Sequence, residues 1–180
     1  MFLRMLLGFL CLLFLPRHGF ADDNVTKFYS INEKNQIDFN ISPNFKAQLI
    51  QNVGLVTLQC QGQEIQNITQ IGNIPGEKFP IQIDDFNFDG FADVALGEST
   101  GYMGVNWFFT IYFFNPENKK FEKEIEGMGT YGSIQINKNQ KEISGLSKSG
   151  PSVESISYRF KKGKPYIYRQ QEIGSKRSKK

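Results

Sequence analysis

The sequence predicts an all-β fold, and three observations support this class. Short segments that alternate apolar and polar residues recur along the chain, and this is the period of a half-buried strand. No stretch shows a sustained helical period of apolar residues. The 17 glycines fall mostly between the strand-like segments, where tight turns use them. These features indicate one domain of antiparallel strands.

Residues 1–21 have the pattern of a secretory signal peptide, so we expect the exported chain to begin near Asp22. Arg4 precedes an apolar run over residues 5–15, and Gly19-Phe20-Ala21 places small residues at the cleavage position. The apolar run is shorter than the roughly 20 residues that a transmembrane helix needs. The sequence therefore predicts a soluble exported protein.

The predicted strands follow one another at short spacing. They cover residues 36–41, 54–60, 64–71, 79–83, 92–97, 107–114, 121–125, 153–160 and 165–172. Residues 107–114 are apolar at both alternating sets of positions, which is typical of a strand covered on both faces. Residues 115–118 end this strand with an Asn-Pro turn. Lys161-Lys162-Gly163-Lys164 predicts a hairpin turn between the last two strands, with Gly163 supplying positive φ.

Composition excludes several kinds of chemistry from the exported chain. His18 is the only histidine and lies in the leader, so Ser-His-Asp and Cys-His catalysis and histidine-ligated metals are excluded. Cys60 is then the only cysteine, so no intramolecular disulfide forms, and its alternating context predicts a buried structural thiol. Without Arg4 and Arg17, 19 Lys and Arg remain against 18 Asp and Glu. This balance does not support nucleic-acid binding.

The domain organisation follows from these features. We expect one all-β domain over residues 22–174, followed by a basic tail over residues 175–180. The tail is interpreted as a solvated end that could contact acidic partners.

The most specific motif is the segment over residues 85–93, Asp-Phe-Asn-Phe-Asp-Gly-Phe-Ala-Asp. Its oxygen-bearing side chains and its glycine match positions 1, 3, 5, 6 and 9 of an EF-hand-type calcium loop. Ca²⁺ takes about six to eight oxygen ligands, and the glycine permits the sharp turn that presents the carbonyl of position 7. The predicted ligands are Asp85, Asn87, Asp89, the main-chain carbonyl of Phe91, and Asp93.

The surroundings of this loop differ from those in a helix–loop–helix motif. Position 12, where an EF-hand has a bidentate Glu, is Leu96. The flanking segments over residues 79–83 and 94–96 are β-rich, so the loop is predicted to join two strands. The alternative is an Asp/Asn/Gly-rich hairpin turn without a metal, because these residues also favour turns.

Three further stretches are predicted to be loops: residues 98–106, 127–133 and 144–152. They combine small polar residues with an occasional tyrosine. Recognition loops have this composition, since such residues adapt to a partner and lose little entropy. The alternative is that they are only solvated connections.

Several of these features together resemble one family. They are the leader, the strand–loop–strand segment around residues 85–93, the Gly101, Gly104 and Asn106-Trp107 approach to the aromatic strand, the turn over residues 115–121, and the terminal hairpin. The family comprises bacterial periplasmic lysozyme-inhibitor-like proteins, including immunity proteins against lysozyme-like effectors of type IV and type VI secretion systems. The similarity covers roughly residues 78–173.

The resemblance implies a small, β-propeller-like antiparallel fold with one structural Ca²⁺ and a periplasmic location. It also implies that a loop enters the cleft of a lysozyme-like peptidoglycan hydrolase and blocks it, without chemistry by this protein.

Related inhibitors carry a Ser-Gly-x-x-Tyr loop, and here Ser149-Gly150 lacks the tyrosine. Tyr102 or Tyr131 is predicted to take its part. The predicted partner contacts are Tyr102, Tyr131, Ser149 and Gly150.

Two functions of other classes compete with this one. The first is an exported calcium-dependent module that binds a glycan or a protein. The second is a hydrolase that uses paired carboxylates such as Glu98 and Asp93. The second is disfavoured because Asp93 is already assigned to the metal.

Overall fold

The computed structural model describes residues 28–29, 36–52, 55–60, 63–69, 80–100 and 106–174. These residues confirm the all-β class, since they form strands and no helix. No membrane-spanning helix is found in the described part of the chain. The strands are β1 (Phe28–Tyr29), β2 (Gln36–Ser42), β3 (Phe45–Asn52), β4 (Leu55–Cys60), β5 (Gln63–Thr69), β6 (Ile81–Asp84), β7 (Asp93–Thr100), β8 (Trp107–Asn115), β9 (Lys120–Thr130), β10 (Gln135–Asn137), β11 (Glu142–Ser149), β12 (Ser152–Lys161) and β13 (Lys164–Gly174).

The strands form three antiparallel sheets. The N-terminal sheet has the order β2-β3-β4-β5, the central sheet β1-β6-β7-β8-β9, and the C-terminal sheet β10-β11-β12-β13. Apart from β1, each strand pairs with its neighbour in sequence, so each sheet contains a four-stranded meander. Such a meander is the unit of a propeller blade. Whether the three sheets are arranged as blades stays a prediction.

The central sheet contributes to two hydrophobic cores. Its strand β8 directs Tyr112 and Phe114 into a first core shared with the N-terminal sheet. On the opposite face, Phe109, Ile111 and Phe113 enter a second core shared with the C-terminal sheet. Each such buried side chain contributes about 1.5–3 kcal/mol. The prediction that this strand is covered on both faces is confirmed, as is the burial of Cys60 in the first core.

Two glutamine side chains connect separate parts of the fold, because each forms the pair of hydrogen bonds with a main chain that a neighbouring strand would form. The Gln66 amide donates to the Phe121 carbonyl and accepts from the Phe121 N–H, both at 2.8 Å. The Gln82 amide does the same with Ile134, both at 2.9 Å. Each amide therefore satisfies one donor and one acceptor of a main chain that belongs to another part of the fold.

Two predicted loops are largely strand, and that prediction was wrong. Residues 127–130 end β9, and residues 144–149 belong to β11, which pairs with β12 along its whole length. Their glycines and serines suggested flexibility. A Cβ at Gly145 would lie 2.5 Å from the Gly129 carbonyl oxygen, so glycine stands there because two main chains approach closely.

The predicted terminal hairpin is confirmed. Lys161 pairs with Lys164 across a two-residue turn, in which Lys162 has φ 51° and Gly163 has φ 76°. Positive φ at both central residues is the geometry that matches the twist of the flanking strands. Strand β3 was missed, although Phe45, Ala47 and Leu49 alternate with polar residues as in a half-buried strand.

Candidate functional site

The predicted calcium loop connects β6 to β7, whose adjoining ends pair at Asp84 and Asp93. The prediction that two strands flank it is therefore confirmed. The loop closes a hairpin of the central sheet, and its conformation is determined by hydrogen bonds of its own side chains.

These hydrogen bonds direct the polar side chains into the loop. The Asp89 N–H donates to Asp85 Oδ1 and to Asn87 Oδ1, both at 3.0 Å. Asp85 Oδ2 accepts from the Gly90 N–H at 2.9 Å, and Asp89 Oδ1 accepts from the Phe91 N–H at 2.9 Å. Two side-chain oxygens within 3.0 Å of one nitrogen lie close together. The loop thus gathers oxygens of three side chains on its inner side.

The residues between these polar positions are phenylalanines, and they point outward into the protein. Phe86 is fully buried in the second core. The Phe88 ring lies 5.6 Å from the ring of Phe160 on β12, and the Phe91 ring lies 5.7 Å from that of Phe114. The sequence analysis considered only the oxygens. The alternation Asp-Phe-Asn-Phe-Asp was the available signal that one side of the loop packs into the cores.

The loop main chain is turned by two residues with positive φ. Gly90 has φ 92°, which the motif anticipated, and Phe88 has φ 65°. A left-handed conformation costs an L-residue about 1–2 kcal/mol. The packing of the Phe88 ring against Phe160 offsets this cost, since it buries an aromatic surface.

Asp93 accepts main-chain hydrogen bonds on both carboxylate oxygens. Its Oδ2 accepts from the Phe86 N–H at 2.9 Å and from the Asn87 N–H at 3.2 Å. Its Oδ1 accepts from the Phe114 N–H of β8 at 2.9 Å. The fully buried side chain therefore ties the start of the loop to the end of the aromatic strand, a role that the motif alone did not indicate.

The electrostatics of the loop reflect crowding of carboxylates. The pKa of Asp93 is raised to about 8; burial is the largest cause, the negative charges of Asp89 and Asp85 add to it, and the hydrogen bond from the Phe114 N–H opposes it. Burial also raises the pKa of Asp85, partly opposed by the Gly90 N–H. Carboxylates that repel one another in a partly dry site favour a bound cation.

The donor set has the chemistry that Ca²⁺ requires, because all of its atoms are oxygens of carboxylates, an amide and a main-chain carbonyl. Among the described residues, however, no three Asp, Glu, His or Cys side chains converge as a metal-binding group. The side-chain oxygens of Asp85, Asn87, Asp89 and Asp93 all accept hydrogen bonds from main-chain N–H groups. The loop therefore offers oxygens of the kind that Ca²⁺ binds, and ligation of Ca²⁺ by these residues stays a prediction.

A second region lies at the other end of β8. Asn106 precedes the strand and is buried; its Nδ2 donates to the Lys148 carbonyl at 2.6 Å, and its Oδ1 accepts from the Lys148 N–H at 2.8 Å. Nearby, the Tyr131 N–H donates to the Leu146 carbonyl. Strand β11 is therefore attached to residues beside the central sheet at two alternate positions of its main chain, Leu146 and Lys148.

This attachment presents apolar side chains to solvent. Tyr131 is 66% exposed and Leu146 is 43% exposed. Three residues after Leu146, the β11–β12 turn begins at Ser149, which pairs with Ser152, and Gly150 has φ 57°. We call Tyr131, Leu146 and the turn over residues 149–152 the recognition face.

The structure thus places three of the four predicted partner contacts along β11 and the turn that follows it. Tyr131 is bonded to β11, and Ser149-Gly150 lies about 10 Å further along the same strand. Tyr102 lies outside the described residues. Leu146 was missed, because a single leucine in a polar stretch gives no signal for exposure.

A cleft of about 190 Å³ adjoins the recognition face. Phe108 forms part of its wall opposite Gly129, with which it pairs across β8 and β9. Glycine leaves the ring uncovered, since a Cβ at Gly129 would lie 3.2 Å from it. The lining residues are Phe108, Gly127, Gly129, Ser147, Glu154, Ser155, Ile156 and Gln170.

The carboxylate pair considered for hydrolysis is not assembled. Asp93 begins β7, and Glu98 lies five residues later on the same strand, about 16 Å away at the usual rise per residue. Glycosidase carboxyl pairs are about 5–9.5 Å apart. Burial raises the pKa of Glu98, but this group has no geometric relation to Asp93 that such a mechanism could use.

The fold and the loop define a class: an all-β protein of three antiparallel meanders, with an Asp/Asn/Gly loop that closes a hairpin of the central one. No family model matches the chain, and no curated protein matches it. Among solved structures it resembles a protein described as a Xanthomonas type IV secretion system related protein. The TM-score is 0.51 at 16% identity, covering 82% of this chain and 86% of that one. This likeness concerns the fold alone.

Proposed function

We propose that this protein is a periplasmic immunity protein that binds a lysozyme-like peptidoglycan hydrolase and blocks its active site sterically. The observation that carries the proposal is the recognition face, where an exposed Tyr131 stands on a main chain bonded to its neighbour. An aromatic anchor that is already held in place loses little entropy on binding. The signal-peptide pattern and the fold shared with a secretion-system-related protein support the same assignment.

The inhibitor would act by occupying the cleft of the enzyme. Substrate clefts of polysaccharide hydrolases are concave, and the turn over residues 149–152 projects beyond the point where Asn106 holds β11. The turn and Tyr131 would enter the cleft, while the rest of the protein excludes substrate. No residue of this chain needs to react, so inhibition is stoichiometric and reversible.

The loop over residues 85–93 would hold Ca²⁺ through Asp85, Asn87, Asp89, the Phe91 carbonyl and Asp93. When bound, the ion would offset the repulsion among the carboxylates. The loop lies at the Phe114 end of β8, whereas the recognition face lies at the Asn106 end. Calcium would therefore stabilise the scaffold and would not contact the target enzyme.

We also propose that the three meanders are arranged as blades of a small propeller. The bidentate amide contacts of Gln66, Gln82 and Asn106 support this arrangement, since each connects the central sheet to a neighbouring part of the fold. An experimental structure would test it directly.

The test is a peptidoglycan-hydrolysis assay. The exported protein is titrated, with and without Ca²⁺, into c-type and i-type lysozymes and into any muralytic effector encoded beside its gene. We expect stoichiometric loss of activity for one of these enzymes. Tyr131→Ala should weaken inhibition about 30-fold, as the loss of a hot-spot aromatic does. Lys138→Ala, in the exposed β10–β11 turn, is the matched control and should inhibit normally.

A second candidate function is an exported glycan-binding module, and the cleft beside the recognition face favours it. An aromatic ring with hydroxyl, amide and carboxylate groups around it is suited to a sugar ring, because the ring packs on the apolar face of the sugar and the polar groups bind its hydroxyls. Retention on purified peptidoglycan, without inhibition of any hydrolase, would select this candidate. Ser155→Tyr, which fills the cleft, should then abolish retention.

A further inference from the structure

Strand β13 forms one edge of the C-terminal sheet, and within the described ranges no other strand pairs with its outer side. It spans Lys164–Gly174, which is about twice the usual length of a strand. An unpaired edge presents a row of main-chain N–H and C=O groups that can pair with another chain.

The side chains of this edge are exposed and partly apolar. Ile167 is 53% exposed and Ile173 is 48% exposed, and the tyrosines at 166 and 168 are also exposed. Four of the six large hydrophobic side chains that the described residues expose belong to this one strand. Two features hinder the pairing of this edge with another chain. Pro165 stands near its start, and a register shift lies opposite Ser157 and Tyr158. From Arg169 to Gly174 neither feature is present.

Charge is segregated along the chain, and the basic part includes this edge. Residues 159–180 contain nine Lys and Arg and a single acid, Glu172. Residues 22–158 contain ten Lys and Arg against seventeen Asp and Glu. A strongly basic end on an acidic body attracts an acidic partner over a distance of about a Debye length.

Two arginine side chains at the edge lie close to one aromatic ring. The Arg159 guanidinium lies 3.5 Å from the centre of the Tyr168 ring, and the Arg169 guanidinium lies 5.5 Å from it. Arg159 is also paired with Glu142 at 3.0 Å. Arg169 forms no ion pair within the described part of the chain, so its charge is available to a partner.

From these observations we propose that the outer edge of β13 binds an acidic, extended segment of another protein as an additional strand. Main-chain hydrogen bonds would supply affinity, and Arg169 would select a carboxylate on the incoming strand. This site lies on the outer side of β13, whose end at Gly174 pairs with Ser152 of the recognition face, and it is separate from the loop over residues 85–93.

A second copy of this chain fits the edge less well. In an antiparallel pairing of two β13 strands centred on their midpoint, Arg169 would face Arg169, and like charges directly opposite destabilise a sheet. A lipid surface also fits less well, because the apolar side chains are divided between the two faces. Ile167 pairs with Tyr158, which packs against the second core, whereas Tyr166 pairs with Arg159. A membrane-binding surface places its apolar groups on one face.

The test measures binding of a fluorescent peptide of about ten residues that alternates Glu and Val, with the exported protein at about 50 mM salt. One control peptide carries N-methyl groups on alternate amides, which removes main-chain pairing and keeps the charge. A second control replaces Glu with Lys. We expect the Glu/Val peptide to bind at least about tenfold more tightly than either control. Equal binding of the N-methylated peptide, or no binding of the Glu/Val peptide, would overturn the proposal.

Variants locate the site. Arg169→Glu should weaken binding of the Glu/Val peptide about tenfold. Lys46→Glu, the same charge reversal on an exposed position of β3, should change it less than about twofold. Equal effects of the two variants would show that the peptide responds to net charge alone, and would reject β13 as its binding site.

Sedimentation of the protein alone and with anionic vesicles completes the test. A dimer or a vesicle complex that Arg169→Glu disrupts would assign the edge to a second copy or to lipid, against the proposal.

Discussion

The two ends of strand β8 are held by different chemistry. At the Phe114 end, a buried carboxylate, Asp93, accepts the main-chain N–H and also bonds to the loop before β7. At the Asn106 end, a neutral amide both donates to and accepts from Lys148. The first contact joins an acidic loop to the central sheet. The second joins the recognition face to that sheet.

The difference explains why the two ends would respond differently to the surroundings. A carboxylate is stabilised or destabilised by nearby charge, so the Phe114 end depends on the other acids of the loop and on any cation they hold. An amide carries no charge, so the geometry at the Asn106 end is independent of ions. The contact at the Asn106 end would therefore be the same with or without a cation, and a cation bound in the loop would change the stability of the Phe114 end.

The largest effect is expected from Asp93→Ala. This change leaves the buried N–H groups of Phe86 and Phe114 without their acceptor, at about 1–3 kcal/mol each, so the free energy of unfolding should fall by about 3 kcal/mol or more. Urea unfolding in the presence of a chelator measures it. Asp84→Ala is the matched control, because within the described residues Asp84 accepts only the N–H of the next residue, and it should cost about 1 kcal/mol or less. Equal costs would contradict the role assigned to Asp93.

Asp89→Ala should abolish the stabilisation that calcium provides. At a free ion concentration about a hundredfold above Kd, binding to the folded state alone adds about 2.7 kcal/mol. The wild-type Tm should therefore rise on adding Ca²⁺, and the variant Tm should not. Glu117→Ala removes one exposed acid from the β8–β9 turn and should keep the rise. A rise that persists in Asp89→Ala would remove the loop from the calcium proposal.

Asn106→Ala should act locally at the other end. It removes two hydrogen bonds, at about 1 kcal/mol each, and should increase hydrogen exchange at the Lys148 amide while leaving the Phe114 amide protected. Gln82→Ala is the control, since it removes an equivalent pair of bonds at Ile134 and should leave Lys148 protected. If each variant increased hydrogen exchange at both the Lys148 and the Phe114 amides, the two ends of β8 would not be stabilised independently.

The smallest effects are expected from the glycines in the turns at the two ends. Gly150 has φ 57°, near the centre of the left-handed region, and Gly90 has φ 92°, outside it. A Cβ at either glycine meets nothing within 4 Å. Gly150→Ala should therefore cost about 1 kcal/mol from the main chain alone, and Gly90→Ala should cost more. Thermal unfolding compares them, and the reverse order would show that contacts decide the cost.

Local sequence determined several parts of this protein. Residues 107–114 are apolar on both faces, and burial on both faces followed because each face needed a covering sheet. The Lys162-Gly163 turn and the strands beside the loop over residues 85–93 also followed from short-range steric preferences. In the same loop, residues with side-chain oxygens alternate with phenylalanines. This alternation by itself indicates which side chains face the inside of the loop and which pack into the protein.

Only the tertiary structure decided how the sheets are joined. Nothing in the sequence marks Gln66, Gln82 and Asn106 as partners of distant main chains, because an amide can bond to any exposed donor and acceptor. The glycines at 129 and 145 likewise suggested a loop, although they permit two strands to approach closely. The apolar–polar period of a strand and the residue preferences of a turn depend on neighbouring residues, so the sequence specified them directly. Contacts between sheets depend on which main chains meet in space, and the folded arrangement alone specifies that.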